Sequence, residues 1–463
     1  MLKLFYTYYP IRKLLFLLIE GIIVYLGLWF VGHVYYEYFN LDDASQINVW
    51  LRVLFVTLIL QLSLYYNNLY DFNEKQNVID LLLKTIKALG FSCLIVAAAY
   101  YFFPQIILDQ YVLFTGIFLL IIFLVLWRYF YQILCIRKLF NEKYFLIGDG
   151  HLAQMIANET SSLDSGYTIA GIFSNPSSSG LSESLGVQHY NGYNNLYELS
   201  QSKGVKTLVM ALQEMRGHAP IKELLECRLY GIRVMDGVSF YENLSGKVLA
   251  TQAPPSWIIY SDGFRRHRFI ILGKRGLDIT CAVLGLVLSL PLMTISAGLI
   301  KFSSPGPVFF RQTRIGQIGR EYNLVKFRTM RQDAEKRSGA VWAQEHDPRI
   351  TRIGAFLRKF RIDEIPQFWN VLKGEMSFVG PRPERPEFVE QLTQKIPYYS
   401  ERHTLKPGIT GWAQVNYPYG ATEEDALRKL EYDLFYIKNL SLLFDLFIVL
   451  KTIKTVIAGE GAR

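Results

Sequence analysis

The chain has 463 residues, of which 51% are hydrophobic and 15% aromatic, and its mean hydropathy is +0.17. This length allows two or three domains, and this balance excludes an ordinary soluble protein in favour of a membrane protein with sizeable soluble parts. The net charge of +9 fits attraction to anionic headgroups, and no basic stripe stands apart from the membrane segments, which argues against nucleic acid as a partner.

Four apolar segments come first, at 14–35, 49–66, 81–103 and 111–134. Each approaches or exceeds the ~20 residues that cross a bilayer as a helix. Arg12, Lys13, Lys75, Lys84, Lys87, Arg137, Lys138 and Lys143 lie before the first segment, between the second and third, and after the fourth. The other two connections carry no Lys or Arg. The asymmetry predicts a four-helix transmembrane bundle over residues 1–140 with both ends in the cytoplasm. The first run is too long for a signal peptide and lacks a small-residue cleavage site. Cys93, Cys135, Cys227 and Cys281 have no metal-ligand spacing and read as buried thiols in a reducing compartment.

Residues 144–147 read as a strand running into Gly148-Asp149-Gly150-His151-Leu152-Ala153, a G-x-G-x-x-A turn that could seat a dinucleotide pyrophosphate. Strands at 167–173, 205–211 and 231–235 and a helix at 220–230 extend the pattern. Ser174-Asn175 stand where a ribose-binding acid is expected. The prediction is a Rossmann-like α/β domain over 141–250, degenerate as a nucleotide site. His151 reads as a surface or cap residue. A connector at 251–273 carries Arg265, Arg266, His267 and Arg268, suited to lipid headgroups or to solvent.

The apolar run at 276–300 is long enough to span but is interrupted by Pro291. Lys274 and Arg275 flank one end, and Lys301, Arg311 and Arg314 the other. A full fifth span would carry the rest of the chain outside, against the charge rule. Each half is ~15–22 Å of helix, too short for a ~30 Å hydrocarbon core. The prediction is a re-entrant helix over 274–302, kinked at Ser289-Leu290-Pro291, with Ser289 satisfying freed backbone.

Beyond it, Ser303–Pro307 forms a turn, 308–310 and 322–330 read as strands, and 349–360 is an amphipathic helix fit for the headgroup region. Residues 440–457 form an interfacial or a core helix. Asp363 and Glu364 open a short helix, with Pro366 in its first turn and Gly374 past its end. Arg358, Arg361 and Arg382 crowd the same stretch, and Arg382 sits in a stiff Gly-Pro-Arg-Pro loop. The simplest role for Asp363 is a helix cap. The excess positive charge points instead to an anionic ligand, with Asp363 kept ionised as a nucleophile. Lys326 and Arg328 are candidates for phosphate, Asp433 is a further candidate carboxylate, and Trp412 is placed to stack or to pack.

The Pro-broken helix, Ser304-Pro305-Gly306-Pro307, Lys326-Phe327-Arg328-Thr329-Met330, Asp363-Glu364-Ile365-Pro366-Gln367 through Arg382, Lys406–Val415 and Tyr432-Asp433 together resemble the bacterial sugar transferase family, the monotopic phosphoglycosyl transferases. Tyr241–Lys247 and Pro255–Ile259 are similar to an exopolysaccharide-linked branch. The resemblance implies an α+β catalytic domain over 274–463 in a bacterial inner membrane, facing the cytoplasm. It implies transfer of hexose-1-phosphate from a UDP-sugar, glucose or galactose by family, to undecaprenyl phosphate with release of UMP. Asp363 would attack, and Glu364 would act as base or as Mg²⁺ partner. Arg358 and Arg382 match phosphate-binding positions, and Asp433 matches an active-site carboxylate. The implied cofactor is Mg²⁺ on Asp363 and Glu364, and a homodimer is left open. Where many relatives carry a Gly-Arg pair, this chain reads Asn416-Tyr417-Pro418-Tyr419-Gly420. Two rival readings are a membrane-tethered nucleotide-sugar dehydratase or epimerase and a non-enzymatic assembly scaffold. The first needs a Tyr-x-x-x-Lys pair, which the α/β segment lacks; Tyr322 to Lys326 lies outside it.

Overall fold

Long runs of Leu, Ile, Phe and Val in hydrocarbon must satisfy their own backbone, and a helix does so within one segment. In the computed structural model these runs form α1 (Ile11–Tyr38), α2 (Gln46–Tyr66), α3 (Val78–Phe102) and α4 (Gln110–Ile136). The structure describes residues 2–458 except 5–6, 10, 39–45, 72–75, 105–107, 109, 139–140, 163–164, 175–179, 213–219, 253–262, 265–266, 332–348, 419 and 421. Lys75, Asn175, Pro255–Ile259, Arg265, Arg266 and Tyr419, all used above, lie outside the described residues. Packing divides the chain into two compact units with the boundary at Phe240/Tyr241.

In the first unit α1–α4 pack around Val24, Leu28, Val53, Leu60, Leu89, Leu120 and Leu124. Their outer faces expose Ile22, Phe30, Leu51, Leu83, Leu94, Phe114, Phe118 and Leu126. An apolar surface of that extent requires lipid. The third helix starts at Val78, so Lys84 and Lys87 lie within its first turns rather than in the connection. Arg128, in the middle of α4, is balanced by a partner the sequence reading missed. Its Nη2 lies 2.8 Å from the carboxylate of Glu20 on α1, its Nη1 donates to the Leu69 carbonyl, and its guanidinium sits 4.9 Å from the Tyr70 ring. Both ends of the pair are buried, as an intramembrane charge requires.

The same unit continues into a five-stranded parallel sheet: β1 (Glu142–Ile147), β2 (Tyr167–Ser174), β3 (His189–Asn191), β4 (Thr207–Met210) and β5 (Arg233–Asp236), in the order β3-β2-β1-β4-β5. This is the half-order of a doubly wound nucleotide-binding fold. Gly148 has φ +113°, and a Cβ there would lie 2.6 Å from the Ala211 carbonyl, so the turn into α5 (His151–Thr160) demands glycine. Ser174, in place of the ribose acid, bonds His189 Nε2 at 2.8 Å. Cys135 and Cys227 are buried, whereas Cys93 and Cys281 are only partly so, which corrects the expectation for those two.

In the second unit α6 (Arg268–Ser303) begins earlier than expected and runs as one helix through Pro291. Ser289 Oγ meets the Leu286 carbonyl at 3.4 Å, and Thr294 Oγ1 takes the Pro291 carbonyl at 2.7 Å. With α1–α4, this helix makes five among the described residues that are long and apolar enough to cross a membrane. A hairpin follows, β6 (Phe309–Ile315) with β7 (Glu321–Phe327), then α7 (Arg352–Lys359), a 3₁₀ turn (Ile362–Glu364) and α8 (Gln367–Lys373). Next come β8 (Ser377–Val379), α9 (Pro386–Lys395), a 3₁₀ turn (Tyr399–Thr404), β9 (Gly408–Thr410), α10 (Trp412–Asn416), α11 (Glu423–Lys438) and α12 (Leu442–Ala458). In α7, Leu357 and Ile353 turn into the domain while Phe356 and Phe360 stay exposed. The last helix is a core helix on one side, through Phe444 and Ile448, and exposes Leu443, Leu446 and Ile453 on the other. The turn after β9 leads into α10. Trp412 is buried there, donating to the Gly246 carbonyl at 2.7 Å and packing on Phe444.

Buried polar bonds fix both ends of α6 in this unit. Near its start, Lys274 Nζ donates to the Val379 carbonyl (2.8 Å), the Tyr436 hydroxyl (3.0 Å) and Asp445 (2.8 Å). Arg275 caps the end of α8 through the Val371 and Leu372 carbonyls. One turn on, Asp278 accepts from Ser377 Oγ and the Phe378 N–H. At the far end Arg328 donates to the carbonyls of Pro305 (2.9 Å) and Ser304 (2.7 Å). Removing one partner of a buried pair leaves the other charge uncompensated. Lys274→Met should therefore lower unfolding stability in detergent by about 3–5 kcal/mol, read by chemical denaturation. A loss below about 1 kcal/mol would show the pair to be incidental.

Candidate active site

The Asp363-Glu364 pair lies in the 3₁₀ turn ahead of α8, not in the helix itself. Arg361, just before it, adopts φ +54° and ψ 23°, a left-handed conformation that a branched-free side chain tolerates at a cost. This reversal ends α7 and turns the two acids back toward β7. Pro366 then starts α8, and Gly374 at φ +84° stops it. Neither acid caps α8, because its N-cap position is Pro366.

The two carboxylates have unequal surroundings. Glu364 Oε1 accepts from Arg382 Nη2 at 3.2 Å, and its Oε2 lies 3.7 Å from Arg361 Nη1. Asp363 is buried and has no hydrogen-bond partner among the described residues. Burial and the adjacent Glu364 charge push Asp363 up to about 6, against the pull of Lys326, Arg358 and Arg382. Glu364 is held below its ordinary range, because Arg382, Arg361 and Lys326 outweigh the opposing effect of burial. Its acidity is thus set by desolvation and by its neighbour more than by the surrounding arginines. At neutral pH it is still mostly ionised.

Lys326 stands on β7 opposite Phe310, with its ammonium 5.6 Å from that ring. Burial lowers it to about 8, helped by Arg314 and Arg358 and opposed by Asp363 and Glu364. Arg358, in the last turn of α7, donates from Nε to Thr329 Oγ1 at 2.9 Å and acts on the Asp363 charge. Asp363, Glu364, Lys326, Arg358, Arg361 and Arg382 thus form one cluster in which cations outnumber carboxylates. Such a cluster suits an anion with several oxygens.

Two of the predicted residues stand apart from it. Arg328 is 6% exposed, and its guanidinium is engaged by the Ser304-Pro305 turn at the end of α6. Asp433 is 1% exposed and bound by Arg402 Nη2 at 2.8 Å. Arg402 and Arg314 were not foreseen. Single arginines in irregular segments have no periodic signature, so only the tertiary fold identifies their partners. In the segment 416–420, Asn416 bonds the Trp412 carbonyl and Lys451, and the Gly420 carbonyl accepts from Lys429. Asp363 and Glu364, proposed from sequence as metal ligands, are not joined by a third His, Cys, Asp or Glu in any metal-holding group among the described residues.

Two family models match the chain: bacterial sugar transferase over residues 269–459 and CoA-binding domain over 66–228. An Aeromonas hydrophila UDP-N-acetylgalactosamine-undecaprenyl-phosphate N-acetylgalactosaminephosphotransferase is 53% identical over 190 residues, covering 41% of this chain and 45% of that protein. The Escherichia coli UDP-glucose:undecaprenyl-phosphate glucose-1-phosphate transferase is 36% identical over 293 residues, 62% of this chain and 61% of that one. A putative Bacillus subtilis undecaprenyl-phosphate N-acetylgalactosaminyl 1-phosphate transferase is 53% identical over 129 residues, 28% of this chain and 72% of that one. The matches span about half the length of the longer curated relatives. With the acid–arginine cluster inside the matched segment, and a relative covered over nearly three quarters of its length, the chain belongs to the bacterial sugar transferase family.

Proposed function

We propose that this protein transfers a sugar 1-phosphate from a UDP-sugar to undecaprenyl phosphate, releasing UMP, at the cytoplasmic face of a bacterial inner membrane. The observation that carries the reading is the inequality of the two acids. Glu364 is tied to two arginines, while Asp363 carries more basic oxygens with no hydrogen bond among the described residues. That favours Asp363 as the nucleophile and Glu364 as the fixed charge that orients Arg382 and Arg361.

The steps balance without a general base. An Asp363 oxygen attacks the β-phosphorus, the bond from that phosphorus to the bridging oxygen breaks, and UMP departs with the electron pair. The sugar phosphate is then held as an acyl phosphate. A phosphate oxygen of the lipid attacks the same phosphorus, the bond to Asp363 breaks, and the carboxylate is regenerated. Lys326, Arg358 and Arg382 would stabilise the negative charge on the equatorial oxygens. Asp363 and Glu364 would hold a Mg²⁺ that neutralises part of the diphosphate charge. A site with two carboxylates suits an ion that takes its remaining ligands from phosphate and water.

The topology supports access to both substrates. The positive charges of Arg12, Lys13, Arg137 and Lys138 support a four-helix transmembrane bundle with both ends in the cytoplasm. For α6, Lys274 and Ser304 are bonded to the same unit, and both limbs pack on the short stretch that holds the acids. Gly285 faces the Phe368 ring, while Ile300 packs with Ile362 and Ile365. A straight helix would separate residues 274 and 304 by ~45 Å. A helix bent at Pro291 and re-entering by the same face reconciles the two anchors with the charge rule. The 53% relatives act on N-acetylgalactosamine donors by name, so UDP-N-acetylgalactosamine joins UDP-glucose and UDP-galactose as a donor, and we favour it.

UMP release, measured across UDP-sugars with undecaprenyl phosphate and Mg²⁺, should be highest for UDP-N-acetylgalactosamine. Asp363→Asn should cut it at least ~10³-fold with the melting temperature unchanged; retained activity would remove Asp363 as the nucleophile. The pH profile provides a separate check. Activity needs Asp363 ionised and Lys326 protonated, so kcat/KM should rise up to about pH 6 and fall above about pH 8. Lys326→Arg should abolish the alkaline limb and keep the acid limb. A profile flat from pH 5 to 9 would contradict both assignments.

A further inference from the structure

The loop carrying Arg382 is held at every main-chain carbonyl from Pro381 to Glu384. The Pro381 carbonyl accepts from the Gly408 N–H at 2.9 Å, and that of Arg382 from Arg402 Nη2 at 3.1 Å. The Pro383 carbonyl accepts from Arg314 Nη1 at 3.1 Å, and that of Glu384 from the Ile315 N–H at 3.1 Å. The donors come from three separate parts of the fold: β9, the 3₁₀ turn at 399–404, and the end of β6. The prolines at 381 and 383 restrict the backbone further. Only the Arg382 side chain is left to reach toward the acids, and it does so at Glu364.

Two of these donors are side chains, Arg314 and Arg402, and Arg402, which grips the Arg382 carbonyl itself, is the one held by fully buried partners. It is 5% exposed and gives Nη1 to the Tyr399 hydroxyl at 2.7 Å and Nη2 to Asp433 at 2.8 Å. Its guanidinium carbon lies 5.1 Å from the Tyr399 ring. Asp433 and Tyr399 are each 1% exposed. A carboxylate sealed in this way does not contact a diphosphate entering from solvent. Its charge is instead matched by Arg402, as a buried pair requires. The neighbouring His403 adds no second charge, because burial and Arg402 lower it to about 4.

We propose that Arg402 is a positioning residue, held by Asp433 and Tyr399, which sets Arg382 for an anionic phosphate by gripping the Arg382 main-chain carbonyl. Asp433 then acts at second hand, through Arg402, and not on the substrate. The proposal rests on Arg382 being an anion contact of the proposed reaction, and the test separates the two.

A double-mutant cycle on the full-length protein tests it, using wild type, Arg382→Ala, Asp433→Asn and the double variant. Asp433→Asn alone should lower kcat/KM for the UDP-sugar about 10–100-fold while leaving KM for undecaprenyl phosphate unchanged. In the Arg382→Ala background it should cost less than twofold more. Additive losses would overturn the proposal, because they would give Asp433 a role independent of Arg382. Tyr399→Phe removes one bond to Arg402 and guards against misfolding. It should lower kcat/KM several-fold at an unchanged melting temperature, and that loss should also vanish without Arg382. The same cycle read by affinity for inorganic pyrophosphate does not depend on turnover. If wild type releases no UMP from any UDP-sugar, the proposed function fails, yet non-additive pyrophosphate binding still supports the Arg402 role. Wild type that binds no pyrophosphate would overturn it.

Discussion

Two carboxylates on adjacent residues of a buried turn repel each other, and the site is arranged around that repulsion. Cations relieve it unevenly. Glu364 takes Arg382 and Arg361, so its charge is secured, while Asp363 is left with proximity to Lys326 and Arg358 and no direct bond among the described residues. Nucleophilic character follows from this imbalance. A fully paired aspartate would be a weaker nucleophile, and an unshielded one would be protonated at neutral pH.

The surrounding structure keeps the imbalance in place. Arg382 must meet Glu364 without drifting onto Asp363, and a loop held at four successive carbonyls limits that drift. Three glycines allow the loop to lie against its neighbour. A Cβ on Gly380 would strike the Lys406 carbonyl, and one on Gly408 or Gly411 would strike Gly380. The strand that leads into the loop, β8, is bonded to Asp278 and Lys274 of α6. This helix, the least buried of the long apolar helices among the described residues, is therefore joined by buried polar bonds to the strand that enters the site. Preorganisation of this kind is what a reaction dominated by charge stabilisation requires.

What could be read from sequence was local or periodic. The apolar runs foretold the long helices, the G-x-G-x-x-A turn foretold a parallel sheet, and the acid–arginine stretch foretold the cluster. The errors came from pairing. Glu20 and Arg128 are separated by 108 positions, and Lys274 and Asp445 by 171. Lys274 read as a flanking charge, when its ammonium is buried in a network. Arg328 read as a phosphate candidate from its residue type, and Asp433 as a candidate carboxylate that the resemblance matched to an active-site position. The fold instead surrounds each with internal partners, a burial no spacing encodes. The short strand at His189–Asn191 was missed for a related reason: its residues are polar, and it exists only as an edge on β2.

The account turns on a covalent sugar phosphate on Asp363. The most direct measurement incubates full-length protein with a UDP-sugar and no lipid acceptor, quenches in acid, and maps the adduct by mass spectrometry. One sugar phosphate per chain on the peptide containing Asp363, with one UMP released and loss of the adduct on adding undecaprenyl phosphate, is the predicted result. An adduct on Glu364, or UMP released only when lipid is present and with no adduct at any stage, would contradict it.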